Sequence, residues 1–176
     1  MTDIKYAWMK EYYPAQYEEM KKFIESGRWH ISGASWDATD TLVPSIESAL
    51  RNIMLGQDYY RKEFGVESTD IFLPDCFGFG WTLPAIASHC GLIGFSSQKL
   101  QWRNKPFYGN DKYPFTVGLW QGIDGSTIMM THGYDYNQRF EDGDLSENKD
   151  LLELTGHSPL HMVYRYYGTG DIGGSP

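Results

Sequence analysis

The sequence of 176 residues has little cysteine and no long apolar run. Cys76 and Cys90 are too few for a disulfide framework, and their spacing fits no common zinc motif, so we expect two small buried side chains. No stretch approaches the ~20 apolar residues of a membrane span. The first residues also lack the basic and apolar regions of a signal peptide. These absences leave the compartment open.

Basic residues are also scarce in any one place. The formal net charge is -8, and the longest basic run is the pair Lys21 and Lys22. A protein that binds nucleic acid needs a positive surface for the phosphates, so we do not expect a nucleic-acid partner. Aromatic residues, in contrast, are abundant, with 13 Tyr, 9 Phe and 6 Trp. Sugar-binding clefts use such side chains and remain compatible with the charge.

Helical spacing of apolar residues indicates three helices, each ending at a glycine. They cover residues 14–27, 45–65 and 83–91. Ser45 is placed to cap the second helix. The predicted apolar face of that helix comprises Ile46, Ala49, Leu50, Ile53, Met54 and Tyr60.

Short apolar runs between these helices indicate strands. We predict strands within the ranges 28–36, 70–74, 92–97 and 162–168, and a hairpin over 115–132 that turns at Asp124 and Gly125. The polar, acidic residues 137–150 are typical of a surface loop. Helices that alternate with strands favour a parallel α/β sheet or barrel, and no linker divides residues 1–176 into two domains.

Polar side chains directly follow three of the predicted strands. Asp75 follows the first buried run, Gln98 and Lys99 follow the next, and Asp171 follows the last. Ligands of parallel α/β folds bind beyond the carboxyl ends of the strands. Two carboxylates there are what glycoside hydrolysis requires, but Asp75 could equally cap the following helix and Asp171 could be a turn residue.

Four segments carry a resemblance to a known family. Residues 73–102, "LPDCFGFGWTLPAIASHCGLIGFSSQKLQW", contain an Asp-x-Phe-Gly core with long flanks. Residues 6–29, 39–65 and 164–176 accompany it in the same order. Together they resemble the alpha-mannosidases of glycoside hydrolase family 38, specifically a bacterial branch, over nearly the whole chain.

The resemblance implies a retaining, zinc-dependent alpha-mannosidase that removes terminal alpha-linked mannose from glycans. It implies that residues 1–176 are part of the catalytic domain, an α/β fold with a seven-stranded parallel barrel that is incomplete at both ends of this chain. Asp75 matches the residue that is both nucleophile and zinc ligand in the family. Asp171 lies where the family places an acid in its glycine-rich loop, which makes it the candidate acid/base.

Other positions match less specific features of the family. Phe77 matches a pocket aromatic, although a core phenylalanine is an alternative, and Lys99 matches a basic residue near the nucleophile, although a solvated lysine is an alternative. Tyr134 and Asp135 resemble a pair that contacts substrate. Asp40 matches a recurrent acid, which helix capping explains equally well. The indole rings of Trp36, Trp81 and Trp102 could stack on sugars or simply pack.

The sequence departs from the family in its metal site. It contains no His-x-Asp pair, so we expect the remaining zinc ligands outside this chain and expect the isolated chain to be inactive. His157 and His161 have the His-x-x-x-His spacing of the metal-binding motif in metal-dependent carbohydrate deacetylases, which are an alternative function. A pair of surface histidines is the preferred interpretation. A non-catalytic carbohydrate-binding module is a further alternative. The sequence does not indicate an oligomeric state.

Overall fold

The computed structural model of the protein describes residues 2–99, 116–132 and 145–166. The helices within these ranges are α1 (Asp3–Tyr12), α2 (Pro14–Glu25), α3 (Ile46–Phe64), α4 (Leu83–His89) and α5 (Lys149–His157). The strands are β1 (Asp70–Phe72), β2 (Gly94–Ser97), β3 (Val117–Gln121) and β4 (Thr127–His132). A short 3-10 turn, Leu145–Glu147, precedes α5.

The four strands form one open sheet in the order β1-β2-β4-β3. β1 pairs with β2, and β2 with β4, in parallel, whereas β3 and β4 form an antiparallel hairpin. Gly125 allows the hairpin to turn because it adopts a φ of 86°, which side chains disfavour. The α/β class and the hairpin are therefore confirmed. The seven-stranded barrel is not, since the described residues form a four-stranded sheet that does not close.

The strand predicted within residues 28–36 is not formed, so that prediction is wrong. This segment runs along the outer edge of β1, but it makes only a single backbone hydrogen bond there, from Ala34 N–H to the Asp70 carbonyl at 2.9 Å. The Asp70 carboxylate accepts two further bonds from the same segment, from Ser32 Oγ at 2.7 Å and from Gly33 N at 3.1 Å. Side-chain bonds thus replace the repeated backbone ladder that defines a strand.

Residues 162–166 are also not a strand. The Tyr164 N–H bonds to the side chain of Thr116, at 2.8 Å, instead of to a strand backbone. The Tyr166 ring is buried and lies 6.1 Å from the ring of Phe72. Because the side chain of Phe72 points away from the helices, this segment partly covers the face of the sheet opposite to them.

The three predicted helices are confirmed as α2, α3 and α4. Ser45 caps α3 by accepting a hydrogen bond from Ser48 N at 3.2 Å, and Gly65 ends the helix at a φ of 68°. The predicted apolar face of α3 is wrong at two residues. Met54 is 64% exposed because it lies about 100° around the helix from the buried Ile53, and Ile46, the first residue of the helix, is 56% exposed. Helices α1 and α5 were not predicted.

None of the helices in the three described ranges combines the length and the hydropathy that a membrane span requires.

The buried apolar residues of the described ranges form two clusters. One lies between the sheet and helices α3 and α4, and comprises Ala34, Ile53, Ile71, Leu73, Leu83, Ile86, Ala87, Leu92, Phe95, Ile128 and Met130. The other joins α1, α2 and α3 and comprises Tyr6, Tyr17, Met20 and Tyr60. The first cluster fixes the helices on one face of the sheet, so the strand ends remain accessible for a site.

Asp3 is a buried acid at the start of α1. It is fully inaccessible to solvent, and its carboxylate lies so close to Gly56 of α3 that a Cβ there would collide with it. Burial disfavours the charged carboxylate and raises the pKa of Asp3 from 3.8 to about 7. The folded state therefore binds this proton more tightly than the unfolded chain does. The resulting stability is complete below pH ~4 and is lost as the pH rises through ~7.

We predict that Asp3→Asn stabilises the protein at pH 8 because it removes a charge that is costly to bury. The expected gain is on the order of 2–4 kcal/mol at pH 8 and shrinks steadily towards pH 5. Urea unfolding of both proteins across this pH range measures the difference. Curves for the variant and the wild type that stay parallel from pH 5 to pH 8 would contradict a raised pKa at Asp3.

Candidate functional site

Asp75 lies where β1 and β2 end side by side. Beyond the last residue of β1, Leu73 N still donates to the Ser96 carbonyl of β2 at 3.0 Å. Gln98 N then donates to the Pro74 carbonyl at 3.4 Å. These bonds keep the two segments of the chain together beyond the ends of the strands. The next residues of the two segments, Asp75 and Lys99, therefore meet at the carboxyl edge of the sheet.

Asp75 does not cap a helix. The helix that follows it begins at Leu83, and the residue in the N-cap position is Thr82. The side chain of Asp75 is instead 53% exposed at the end of the sheet. The helix-cap alternative for Asp75 is therefore wrong, and its carboxylate is available to a ligand.

Lys99 is the immediate partner of Asp75. Its Nζ lies 2.6 Å from Asp75 Oδ1, and its side chain is only 7% exposed. The same ammonium lies 4.8 Å from the centre of the Phe77 ring, a cation–π distance. Lys99 is thus not a solvated lysine, and Phe77, which is 57% exposed, is not a core residue. The structure brings together three of the predicted site residues.

This arrangement presents a negative charge and an apolar ring side by side. A charge-assisted hydrogen bond between an ammonium and a carboxylate is short and stronger than a neutral one. The buried Lys99 ammonium therefore fixes the Asp75 carboxylate from the protein side, while the exposed part of Asp75 and the Phe77 ring face solvent. Such a surface suits a ligand that has both hydroxyl groups and a C–H face, which is the chemistry of a sugar.

Cys76, between Asp75 and Phe77, is not a second nucleophile. Its side chain is half-buried, and burial raises the pKa of the thiol, as do the nearby charges of Asp40 and Asp75. A thiol needs a lowered pKa to react as a thiolate at neutral pH. The Cys76 thiol is therefore poorly suited to act as a nucleophile.

The remaining predicted residues fall into two groups. Tyr134, Asp135, Asp171 and Trp102 lie outside the described residues. The others are described: Trp36 packs edge-on against Tyr59, with ring centres 5.5 Å apart, whereas Trp81 is 75% exposed. Trp36 thus has a packing role, and Trp81 remains a candidate for stacking on a ligand.

Asp40 does not cap α3, because Ser45 does. It belongs to a loop that contacts the residues after Asp75, through Thr39 and Thr41. Sequence patterns do not indicate this contact, since it joins positions 37 apart in the chain and no spacing rule links them.

The histidines give no support to a metal-dependent deacetylase. His157 and His161 are both exposed, as expected for surface residues. Within residues 2–99, 116–132 and 145–166, no three His, Cys, Asp or Glu side chains are close enough together to hold a metal ion. Asp75 is a single carboxylate, and one ligand does not make a zinc site.

Comparison with known sequences places these residues in context. The model of the Glycosyl hydrolases family 38 N-terminal domain matches residues 2–170. "Alpha-mannosidase G" of Dictyostelium discoideum is 37% identical over 178 residues, which cover 97% of this chain and 15% of that protein. "Alpha-mannosidase 2C1" of Homo sapiens is 30% identical over 172 residues, which cover 96% of this chain and 16% of that protein. The chain therefore spans about a sixth of the length of these relatives.

Solved structures show a related fold. An alpha-mannosidase from Enterococcus faecalis superposes with a TM-score of 0.62 at 20% identity, over 76% of this chain and 14% of that chain. A 4-alpha-glucanotransferase from Thermococcus litoralis superposes with a TM-score of 0.69 at 15% identity, over 97% of this chain and 26% of that chain. At these identities the likeness concerns the fold.

The unequal burial of the ion pair leads to a stability prediction. Asp75→Asn removes the charge that faces a buried ammonium, and we expect it to destabilise the protein by roughly 1–3 kcal/mol. Asp58→Asn is the matched control, because Asp58 and Lys62 also lie 2.6 Å apart but are both well exposed. That change should cost less than about 0.5 kcal/mol. Equal losses for the two variants in urea unfolding would contradict the structural role of the Asp75–Lys99 pair.

Proposed function

Because the chain belongs to glycosyl hydrolase family 38, as part of its N-terminal domain, we propose that it supplies the nucleophile of a retaining alpha-mannosidase. The substrate is a glycan with terminal alpha-linked mannose. The observation that carries the proposal is the half-exposed carboxylate of Asp75, held at the end of a parallel sheet by a buried lysine and flanked by an exposed aromatic ring.

The reaction needs two carboxyl groups with different tasks. Asp75 attacks the anomeric carbon of mannose, and the bond from that carbon to the leaving oxygen breaks. Asp171 donates a proton to the departing oxygen. In the second step Asp171 takes a proton from water, whose oxygen displaces Asp75 and releases mannose. The intermediate is a mannosyl ester of Asp75.

The neighbours of Asp75 prepare the first step. A nucleophilic carboxylate has to be aligned before attack, and the 2.6 Å bond to Lys99 fixes one of its oxygens while leaving the other side accessible. Phe77 offers an apolar surface to the sugar ring next to the reacting carbon. Tyr134 and Asp135 complete the proposed set of residues that contact substrate.

Zinc is the proposed cofactor, with Asp75 as one ligand and the other ligands expected outside this chain. The described residues do not by themselves fit a zinc ion, since they place no group of three His, Cys, Asp or Glu side chains around Asp75 that could hold it. A bound divalent ion would add positive charge next to the sugar hydroxyls.

Substitution of the nucleophile tests the proposal. In a full-length protein that carries this chain, Asp75→Asn should lower the turnover of an aryl alpha-mannoside by roughly 10⁴-fold or more, because the amide cannot form the ester intermediate. Asp58→Asn, which changes a surface acid of α3, should keep wild-type turnover. Retention of activity in Asp75→Asn would overturn the assignment.

The role of Asp171 predicts a dependence on the leaving group. A general acid matters most when the departing oxygen is a poor leaving group. We therefore expect Asp171→Ala to slow mannosides with poor leaving groups much more than activated aryl mannosides, as measured by kcat/KM over a series of substrates. Equal losses across the series would indicate a structural role for Asp171 in its glycine-rich loop.

A further inference from the structure

Two loops meet beside the proposed nucleophile. We name residues 75–80 the nucleophile loop and residues 39–43 the supporting loop. The Thr41 hydroxyl donates a hydrogen bond of 2.6 Å to the Gly78 carbonyl, and the Cys76 thiol donates one of 3.2 Å to the Thr39 carbonyl. The nucleophile loop is thus bonded to the supporting loop at two points, one before and one after Phe77.

The supporting loop has its own internal structure. Asp40 Oδ1 accepts hydrogen bonds from Leu42 N at 2.7 Å and from Val43 N at 3.3 Å. An aspartate that bonds backbone N–H groups two and three residues further on fixes a turn. This turn determines where the hydroxyl of Thr41 points, so Asp40 acts on the contact indirectly.

The approach of the two loops depends on a glycine. Gly78 adopts a φ of 126°, and an ideal Cβ there would lie 2.7 Å from Leu42 Cδ1. A side chain at this position would therefore be strained by the backbone conformation, and the exposed side chain of Leu42 would also have to move.

Core packing does not hold the supporting loop in place. Leu42 is 58% exposed and Val43 is 83% exposed. Beneath the loop lies a cavity of about 40 Å³, between Thr39 and Thr41 above and Ile53 and Leu73 below. Hydrogen bonds to the nucleophile loop consequently have a large share in fixing the supporting loop. The nucleophile loop itself also packs on the core, through Cys76 and Phe79.

We propose that Thr41 is a positioning residue for Asp75, a role that rests on the function proposed above. By holding the Gly78 carbonyl, Thr41 sets the path of the chain next to Phe77. The Phe77 ring contacts the Lys99 ammonium at 4.8 Å, and that ammonium pairs with Asp75 at 2.6 Å. Loss of the Thr41 hydroxyl should loosen the nucleophile loop without disturbing the rest of the fold.

The two cysteines provide a direct test in this chain. Cys76 lies in the nucleophile loop, whereas Cys90 lies at the end of α4 and reports on the fold in general. Thr41→Val keeps the shape of the side chain but removes the hydroxyl. We expect alkylation of Cys76 by iodoacetamide, followed by mass spectrometry, to become roughly fivefold faster, the effect of losing one hydrogen bond. Cys90 should react at its wild-type rate.

Two further variants make the test specific. Thr41→Ser restores a hydroxyl and should return Cys76 to its wild-type rate. Thr155→Val removes a comparable bond from a threonine hydroxyl to a carbonyl, that of Leu152 in α5, and should change neither cysteine. An unchanged rate at Cys76 in Thr41→Val, or an equal rise at Cys76 and Cys90, would overturn the positioning role.

Kinetics of the full-length enzyme complete the test. If Thr41 aligns Asp75, Thr41→Val should lower kcat roughly tenfold with little change in KM, and Thr41→Ser should recover kcat. A rise in KM at constant kcat would contradict positioning of the nucleophile. A wild-type enzyme without mannosidase activity would refute the proposed function, whereas an unaltered Cys76 rate would refute the role of Thr41, so the two failures are distinguishable.

Discussion

A buried ammonium group requires a negative partner, and at the end of β2 Lys99 has one in Asp75. Removing an ammonium from water costs several kcal/mol unless a close counter-charge offsets the loss. The 2.6 Å contact meets that requirement, and it also determines where the Asp75 carboxylate lies. The position of Phe77 follows from the same ammonium, 4.8 Å from its ring. The candidate site thus depends on one cation, that of Lys99, which contacts both Asp75 and Phe77.

The parallel pairing of β1 and β2 makes this contact possible. Phe72 lies beside Ser96 in the sheet, and backbone hydrogen bonds continue to join the two segments as far as Pro74 and Gln98. Each strand therefore delivers its next residue to the same edge. The apolar cluster between the sheet and helices α3 and α4 fixes this register, since a slip by one residue would move Ile71 and Phe95 out of the core. The packing of the core therefore also determines the geometry of the site.

Much of this architecture could be predicted from the sequence, because local signals agree with the fold. Helix α3 has a cap at Ser45 and a stop at Gly65, and β1 and β2 are short apolar runs. Helix α1 was missed because its buried residues, Asp3 and Tyr6, do not form an apolar stripe. The predicted strand at 162–168 fails over its described residues, 162–166, because Tyr164 N bonds to the side chain of Thr116 and not to a strand. The burial of Lys99 against Asp75 and the hydrogen bond from Thr41 to Gly78 both depend on residues that are distant in the sequence. No local sequence pattern indicates either contact.

Covalent trapping of the intermediate would identify the carboxylate that attacks the sugar. A full-length protein that carries this chain would be incubated with a fluorinated mannosyl fluoride. This reagent forms the glycosyl-enzyme ester quickly, and the fluorinated ester then hydrolyses slowly. The digested protein would then be mapped by mass spectrometry. We predict one mannosyl adduct, on the carboxylate of Asp75. An adduct on a different carboxylate, or turnover of mannosides without any covalent adduct, would contradict it.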